Sequence, residues 1–224
     1  MPHLVLWDID HTLIESRGVG RELSAAAFEQ VTGQPMRDQA TIDGITEAVI
    51  FRETAKLHGL ATDRADFERF AQALSEHHVL QARRLRERGT ALPGAAATLD
   101  ALAAAHVRQT VVTGNVRAVA ELKLDIFGLA THIDWKVGAY GEDADLRPAL
   151  VDLALTRSAI TAADAVLVGD TPADIDGGHA NGVRVIAVAT GRSSAVELRE
   201  AGADVVLDDL TDTDLLRRLV FDRS

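Results

Sequence analysis

Five short apolar runs, separated by segments of helical periodicity, constrain this chain more than any other feature of it. The runs cover residues 4–7, 110–113, 165–169, 184–188 and 204–207. Each is too short for a helix and apolar through its centre, the pattern of a strand buried on both faces. Between them, residues 95–105, 116–124, 148–156, 173–181 and 195–201 space their apolar positions as helices do. Gly182 and Gly202 stand where helix C-terminal glycines belong. Strand alternating with helix predicts an α/β fold, a doubly wound, Rossmann-like parallel sheet with helices on both faces.

The alternation fails once. Residues 14–92 carry helical periodicity at 21–31, 47–58 and 63–88 with no credible strand between, which predicts an inserted α-helical domain in a core made of residues 1–13 and 93–224. Gly18 and Gly20 on one side and Pro93-Gly94 on the other punctuate the two crossings. Charge divides the same way. The insertion holds 11 basic and 12 acidic residues, the remainder 12 and 22, so nearly all of the net charge of −11 sits on the core.

That charge, with no basic patch against it, disfavours nucleic acid and anionic lipid as partners. No apolar run approaches the ~18 residues of a membrane span. Asp8 and Asp10 interrupt the N-terminal apolar stretch, so it does not read as a signal peptide, and a soluble cytoplasmic protein is expected. The chain has no cysteine, which removes thiolate metal sites and cysteine nucleophiles and leaves oxygen or histidine for any metal.

The strands that matter end in chemistry. Asp8-Ile9-Asp10-His11-Thr12 follows the first, Thr113-Gly114-Asn115 closes the second, and Gly169-Asp170-Thr171-Pro172-Ala173-Asp174 closes the third. In an open parallel sheet these ends face one crevice, where strand order reverses. Two like charges ~4 Å apart at an effective dielectric of ~20 repel by about 4 kcal/mol, so Asp8, Asp10, Asp170 and Asp174 cannot all stay ionised there without a cation. An all-oxygen set suits Mg2+ better than zinc. Thr113 and Asn115 bring side-chain donors, Gly114 allows close backbone approach, and the following helix points its N-terminus inward, which together make an anion pocket.

In order and separation these motifs resemble motifs one, two and four of the haloacid dehalogenase-like superfamily, in its phosphoglycolate phosphatase-like branch with an α-helical cap. Arg147-Pro148 stands at the place of the third motif, where most such relatives have lysine; Lys123 and Lys136 are less well placed substitutes. The resemblance implies a phosphatase for a small phosphorylated metabolite. Asp8 would be the nucleophile and Asp10 the general acid and base. Magnesium would be held by the Asp8 carboxylate, the Asp10 carbonyl and Asp170, with Asp174 ordering its waters, and phosphate by Thr113, Gly114, Asn115 and Arg147. It says nothing of oligomeric state. A 2-haloacid dehalogenase needs neither magnesium nor an acid at position 10. A β-phosphoglucomutase-like mutase would call for basic residues in the insertion to hold a second phosphate. A non-catalytic phosphate-binding protein would be hindered by so many carboxylates.

The loop Asp43-Gly44-Ile45-Thr46-Glu47 resembles the cap's substrate-specificity loop, with Ile45 where many relatives place a basic residue. An apolar and acidic lid predicts monophosphates with neutral, polar or cationic leaving groups and poor use of phosphoglycolate, unless Arg17 or Arg21 supplies the charge. His77 and His78, adjacent and so about 100° apart on a helix, read as solvated, as do His58 and His179. Asp176 reads as a solvent-facing helical residue.

Overall fold

The structure, a computed structural model, describes residues 4–40 and 44–222; Asp43 of the loop just named lies outside them. Strand β1 (Leu4–Trp7) is buried along its whole length because it is flanked on both edges, by β4 (Arg108–Val111) and β5 (Ala165–Gly169). With β6 (Arg184–Val188) and β7 (Val205–Leu207) they form one parallel sheet in the order β4-β1-β5-β6-β7. The chain runs from β1 outward to β4 and then crosses to β5 on the other side of β1. Strand order therefore reverses at β1, and the crevice opens at the carboxyl ends of β1, β4 and β5.

Successive β1 side chains point to opposite faces, and each face has its own core. Val5 and Trp7 pack with Leu99 and Leu102 of α5 (Ala95–Ala104) and Leu216 of α10 (Thr213–Phe221). Leu4 and Leu6 pack with Leu150 of α7 (Arg147–Ser158), Ile175 of α8 (Pro172–His179) and Leu198 of α9 (Ala195–Glu200). α6 (Arg117–Ile126) gives Ala120 and Leu124 to the first of these cores.

The second strand lies two residues earlier than its apolar run predicts. Its register begins at Leu4↔Arg108 and ends at Trp7↔Val111. Gln109 disguised it: the side chain is buried in the sheet but satisfied, accepting from Trp7 Nε1 (3.1 Å) and donating to the Leu99 carbonyl (2.9 Å). Thr113 accordingly falls beyond the strand, in the loop that faces the crevice.

Among the described residues of 14–92 there are four helices, α1 (Val19–Thr32), α2 (Glu47–Leu57), α3 (Arg64–Leu80) and α4 (Ala82–Arg88). The periodicity that predicts one helix over 63–88 is broken at Gln81. α3 starts at a reciprocal capping box between Asp63 and Asp66. Where the chain leaves and re-enters the core, β2 (Ile14–Glu15) pairs antiparallel with β3 (Thr90–Ala91), a two-residue ribbon the sequence did not signal. The four helices share a phenylalanine-rich core of Phe28, Phe51, Phe67 and Phe70, with the rings of Phe51 and Phe70 stacked 4.5 Å apart. That core continues into Val116, Val119 and Ile126, so the helical layer rests on α6 beside the crevice. Among the described residues no helix is long and apolar enough to cross a membrane.

Candidate active site

Asp8 is the first residue past β1, and its amide still donates to the Val168 carbonyl (2.9 Å), which fixes the side chain at the sheet's edge. Arg147, at the start of α7, reaches it. Its Nη2 donates to Asp8 Oδ1 (3.1 Å) and Nη1 to the Val112 carbonyl (2.8 Å), while Nε lies 3.3 Å from Asp174 Oδ1 without hydrogen-bond geometry. Asp170, one residue past β5, accepts from the Thr12 hydroxyl (3.1 Å). Asp174 accepts through Oδ2 from the Thr171 amide and hydroxyl, so it caps α8 and faces the site at once.

Asp8, Asp170 and Asp174 are all buried, and each offers an oxygen within 4.8 Å of the others. Burial first, then the charges of its neighbours, pushes the Asp170 carboxyl up to about 9. Burial likewise pushes Asp8 up to about 7, against the pull of Arg147. One guanidinium does not balance three carboxylates. The donor set, all hard oxygen with one Asp174 oxygen lacking a hydrogen bond, fits a small divalent cation. At Gly191 a Cβ would stand 1.8 Å from Asp170 Oδ2, so only glycine lets that carboxylate keep its place.

The Asp10 side chain lines the same cavity but is not one of this trio. Burial would raise its carboxyl, but Lys123 Nζ bonds both oxygens (2.8 and 2.7 Å) and Asn115 Nδ2 bonds one (2.7 Å), holding it below the usual range. This corrects two expectations. Lys123, expected only as a less well placed substitute for Arg147, is part of the site and pairs with Asp10. Asn115 spends its side-chain amide on Asp10 and on Thr113 Oγ1 (2.8 Å), and its carbonyl on Lys123 (2.7 Å), so it positions Asp10 and has no free side-chain donor for an anion. Thr113 Oγ1 accepts from both the amide and the side chain of Asn115, which leaves its own O–H to donate.

Gly44 to Glu47 lie against the crevice. The Glu47 amide donates to the Gly114 carbonyl (2.8 Å), and Ile45 packs so closely that a Cβ on Gly114 would meet its carbonyl oxygen at 2.3 Å. Arg52 of α2 adds an ion pair to Asp145 (2.8 Å). Gly114→Ala is therefore expected to push this loop off the core, raising KM for any substrate enclosed beneath it several-fold and costing about 1–3 kcal/mol of stability. Steady-state kinetics with thermal unfolding checks this; wild-type values in both would show that the contact does not matter.

The cavity, about 140 Å³, is lined by Asp8, Asp10, Thr113, Asn115, Lys123, Arg147 and Asp170 around the sheet's edge, and by Arg21, Ile45, Glu47, Ile50 and His78 from residues 14–92. Residues 5–188 match the haloacid dehalogenase-like hydrolase family. The chain belongs to that family. Among its relatives is a phosphoglycolate phosphatase from Rhodospirillum rubrum, 30% identical over 226 residues that span 93% of this chain and 88% of the relative. Solved structures with the same fold include a hydrolase from Pseudomonas syringae (TM-score 0.70, 19% identity, all of both chains). A family IA hydrolase from Entamoeba histolytica is another (TM-score 0.71, 14% identity, 99% of this chain and 100% of that one). This haloacid dehalogenase-like hydrolase is an enzyme of the phosphatase type.

Sequence reasoning gave neither Lys123 nor His78 its place in the cavity, and one signal marks both. Lys123 follows Val119 by four on the buried face of α6, and His78 follows Leu74 by four on that of α3. A polar residue on an apolar stripe is the informative exception. His78 is 2% exposed, not solvated, and His58 is half-buried against the Phe28 ring (5.0 Å) while accepting from the Arg37 amide. His179 and Asp176 are exposed as expected. Arg17 is exposed near Glu15 (3.8 Å) and does not line the cavity, whereas Arg21 reaches its mouth.

Proposed function

We propose that this enzyme is a magnesium-dependent phosphatase that hydrolyses a small phosphorylated metabolite through an aspartyl-phosphate on Asp8, with residues 14–92 acting as a cap over the core of 1–13 and 93–224. The observation that carries this reading is the buried trio Asp8, Asp170 and Asp174 with Arg147 on the Asp8 carboxylate. Three buried carboxylates this close repel one another, which a cation would relieve, and Arg147 beside Asp8 suits an anion arriving at that oxygen. A cavity of about 140 Å³ suits a phosphate and a short leaving group.

An Asp8 oxygen attacks phosphorus as the ester P–O bond breaks, and the proton carried by the bound monoester monoanion passes through the Asp10 carboxylate to the departing alkoxide. Water then attacks phosphorus, gives its proton to Asp10, and releases phosphate with Asp8 restored. Lys123 and Asn115 hold Asp10 ionised, as the second half requires. A monoester bound as its monoanion, about half-populated near pH 6, brings the proton that the first half requires. Arg147 and the free hydroxyl of Thr113 stabilise the equatorial oxygens. The Asp8 and Asp170 carboxylates and the Asp10 carbonyl would hold magnesium, with Asp174 ordering its waters, and the bound ion would supply charge neutralisation for the phosphate.

The test is hydrolysis of an aryl phosphate with magnesium and with excess chelator. Turnover is expected only with magnesium, and calcium is expected to inhibit, because its looser, higher coordination draws the Asp8 carboxylate out of line. Full turnover in chelator would overturn the metal's role.

A further inference from the structure

Four buried side-chain atoms among the described residues lack a hydrogen-bond partner, and all belong to this site: Arg147 Nε, Asp174 Oδ1, Glu47 Oε2 and His78 Nε2. The first two face each other. The other two come from the helical insertion, line the cavity, and have no part in the phosphoryl chemistry. A buried polar atom left unpaired is costly, and a bound partner can recover that cost.

Their chemistry specifies that partner. His78 Nδ1 lies 2.8 Å from the Leu74 carbonyl, which only accepts, so Nδ1 carries the proton and Nε2 presents a lone pair. Burial and the nearby Lys123 ammonium hold this imidazole down to about 4, so it stays neutral. Glu47 Oε2 is an acceptor once the carboxyl, which burial pushes up to about 7, is ionised, so the pair of acceptors is complete above that pH. Two acceptors cannot satisfy each other, and Lys123 has all three N–H donors on Asp10 and Asn115.

Resting on the phosphatase reading, we propose that Glu47 and His78 form a receiving subsite for a hydrogen-bond donor, a hydroxyl or an ammonium, on the alcohol portion of the substrate. The preferred substrate class is then the phosphomonoester of a short polyol or amino alcohol. A carboxylate in the same place meets a lone pair on His78 and a carboxyl on Glu47; the ammonium near both, Lys123, has its donors committed to Asp10 and Asn115, and Arg21 is solvent-exposed at the mouth. Phosphoglycolate, the substrate for which the Rhodospirillum rubrum relative is named, is therefore a poor fit.

The experiment compares kcat/KM, with magnesium, on four esters of similar size: ethyl, 2-hydroxyethyl and 2-aminoethyl phosphate, and phosphoglycolate. At least one of the hydroxyl and amino esters is expected to exceed both others by about tenfold or more. Whichever leads assigns a neutral or a charged donor. Glu47→Gln keeps an acceptor but removes the charge, so an amino preference should fall about fivefold while a hydroxyl preference persists; His78→Leu should erode either. The wild-type panel decides the matter even if a variant fails to fold. Phosphoglycolate leading, or four equal values, overturns the subsite and leaves the phosphatase standing. No turnover of these esters or of an aryl phosphate overturns both.

Discussion

Asp8→Asn is expected to abolish phosphatase turnover, by on the order of 10⁴ to 10⁶, while leaving the fold intact and, without metal above pH 7, more stable than wild type. The amide keeps the shape of the side chain and an oxygen for Arg147 Nη2, but it is no nucleophile. The stability effect follows from the raised Asp8 carboxyl: near pH 8 it is ionised beside Asp170 and Asp174 at a cost that Arg147 does not repay, and asparagine mimics the neutral form. Purified variant assayed on an aryl phosphate, with paired thermal unfolding at pH 8 in chelator, checks both halves. Substantial turnover would remove Asp8 as nucleophile. A loss of several degrees in Tm would mean that the Arg147 pair outweighs the repulsion.

The same balance explains what could be read from the chain before its fold was known. β1, β5 and β6 are legible because strands buried on both faces have apolar centres, and because the carboxylates that end them are too costly to gather without a purpose. β4 is legible only from Thr110 onward. Its first half carries Arg108 and Gln109, which enter the sheet because tertiary partners, Asp134 and Trp7, satisfy them, and no local pattern announces a partner 26 or 102 residues away. Asp8, Asp170, Thr113 and Arg147 could be placed from motif spacing. The division of labour around Asp10 could not. That Asn115 is consumed by Asp10, and that Lys123 closes the triangle, depends on how α6 is rotated, which its pattern fixes only once the helical layer above it is in place. Glu47 was visible in the loop as an acidic lid, but the lone pair His78 adds comes from a separate helix, α3.

Stability without a divalent cation is expected to fall as pH rises from about 6.5 to 9, and magnesium is expected to stabilise the protein more at the top of that window than at the bottom. The sign follows from proton counting. Asp8 and Glu47, pushed up to about 7, and Asp170, pushed up to about 9, bind protons in the folded state that the unfolded chain has already released near pH 4. Stability therefore declines with pH until each folded group ionises, with a slope of at most about 1.4 kcal/mol per pH unit for each proton held. His78 opposes this only below its unfolded value of 6.5, because it is neutral when folded and protonated when unfolded between about 4 and 6.5. Asp10 and Asp204, held low, matter only in acid, where their contribution is lost as pH falls. Above 6.5 the raised carboxyls dominate. A cation on Asp8 and Asp170 reverses the cost by making the ionised forms the favoured ones, so its binding releases protons and tightens with pH. Urea unfolding at pH 6.5, 7.5 and 8.5, in chelator and in saturating magnesium, should give a gap between the two conditions that widens with pH. Asp170→Asn should close most of it, while Glu47→Gln should flatten the chelator curve but leave the magnesium gap. A gap that is constant with pH would mean that magnesium does not displace protons from this trio and binds elsewhere.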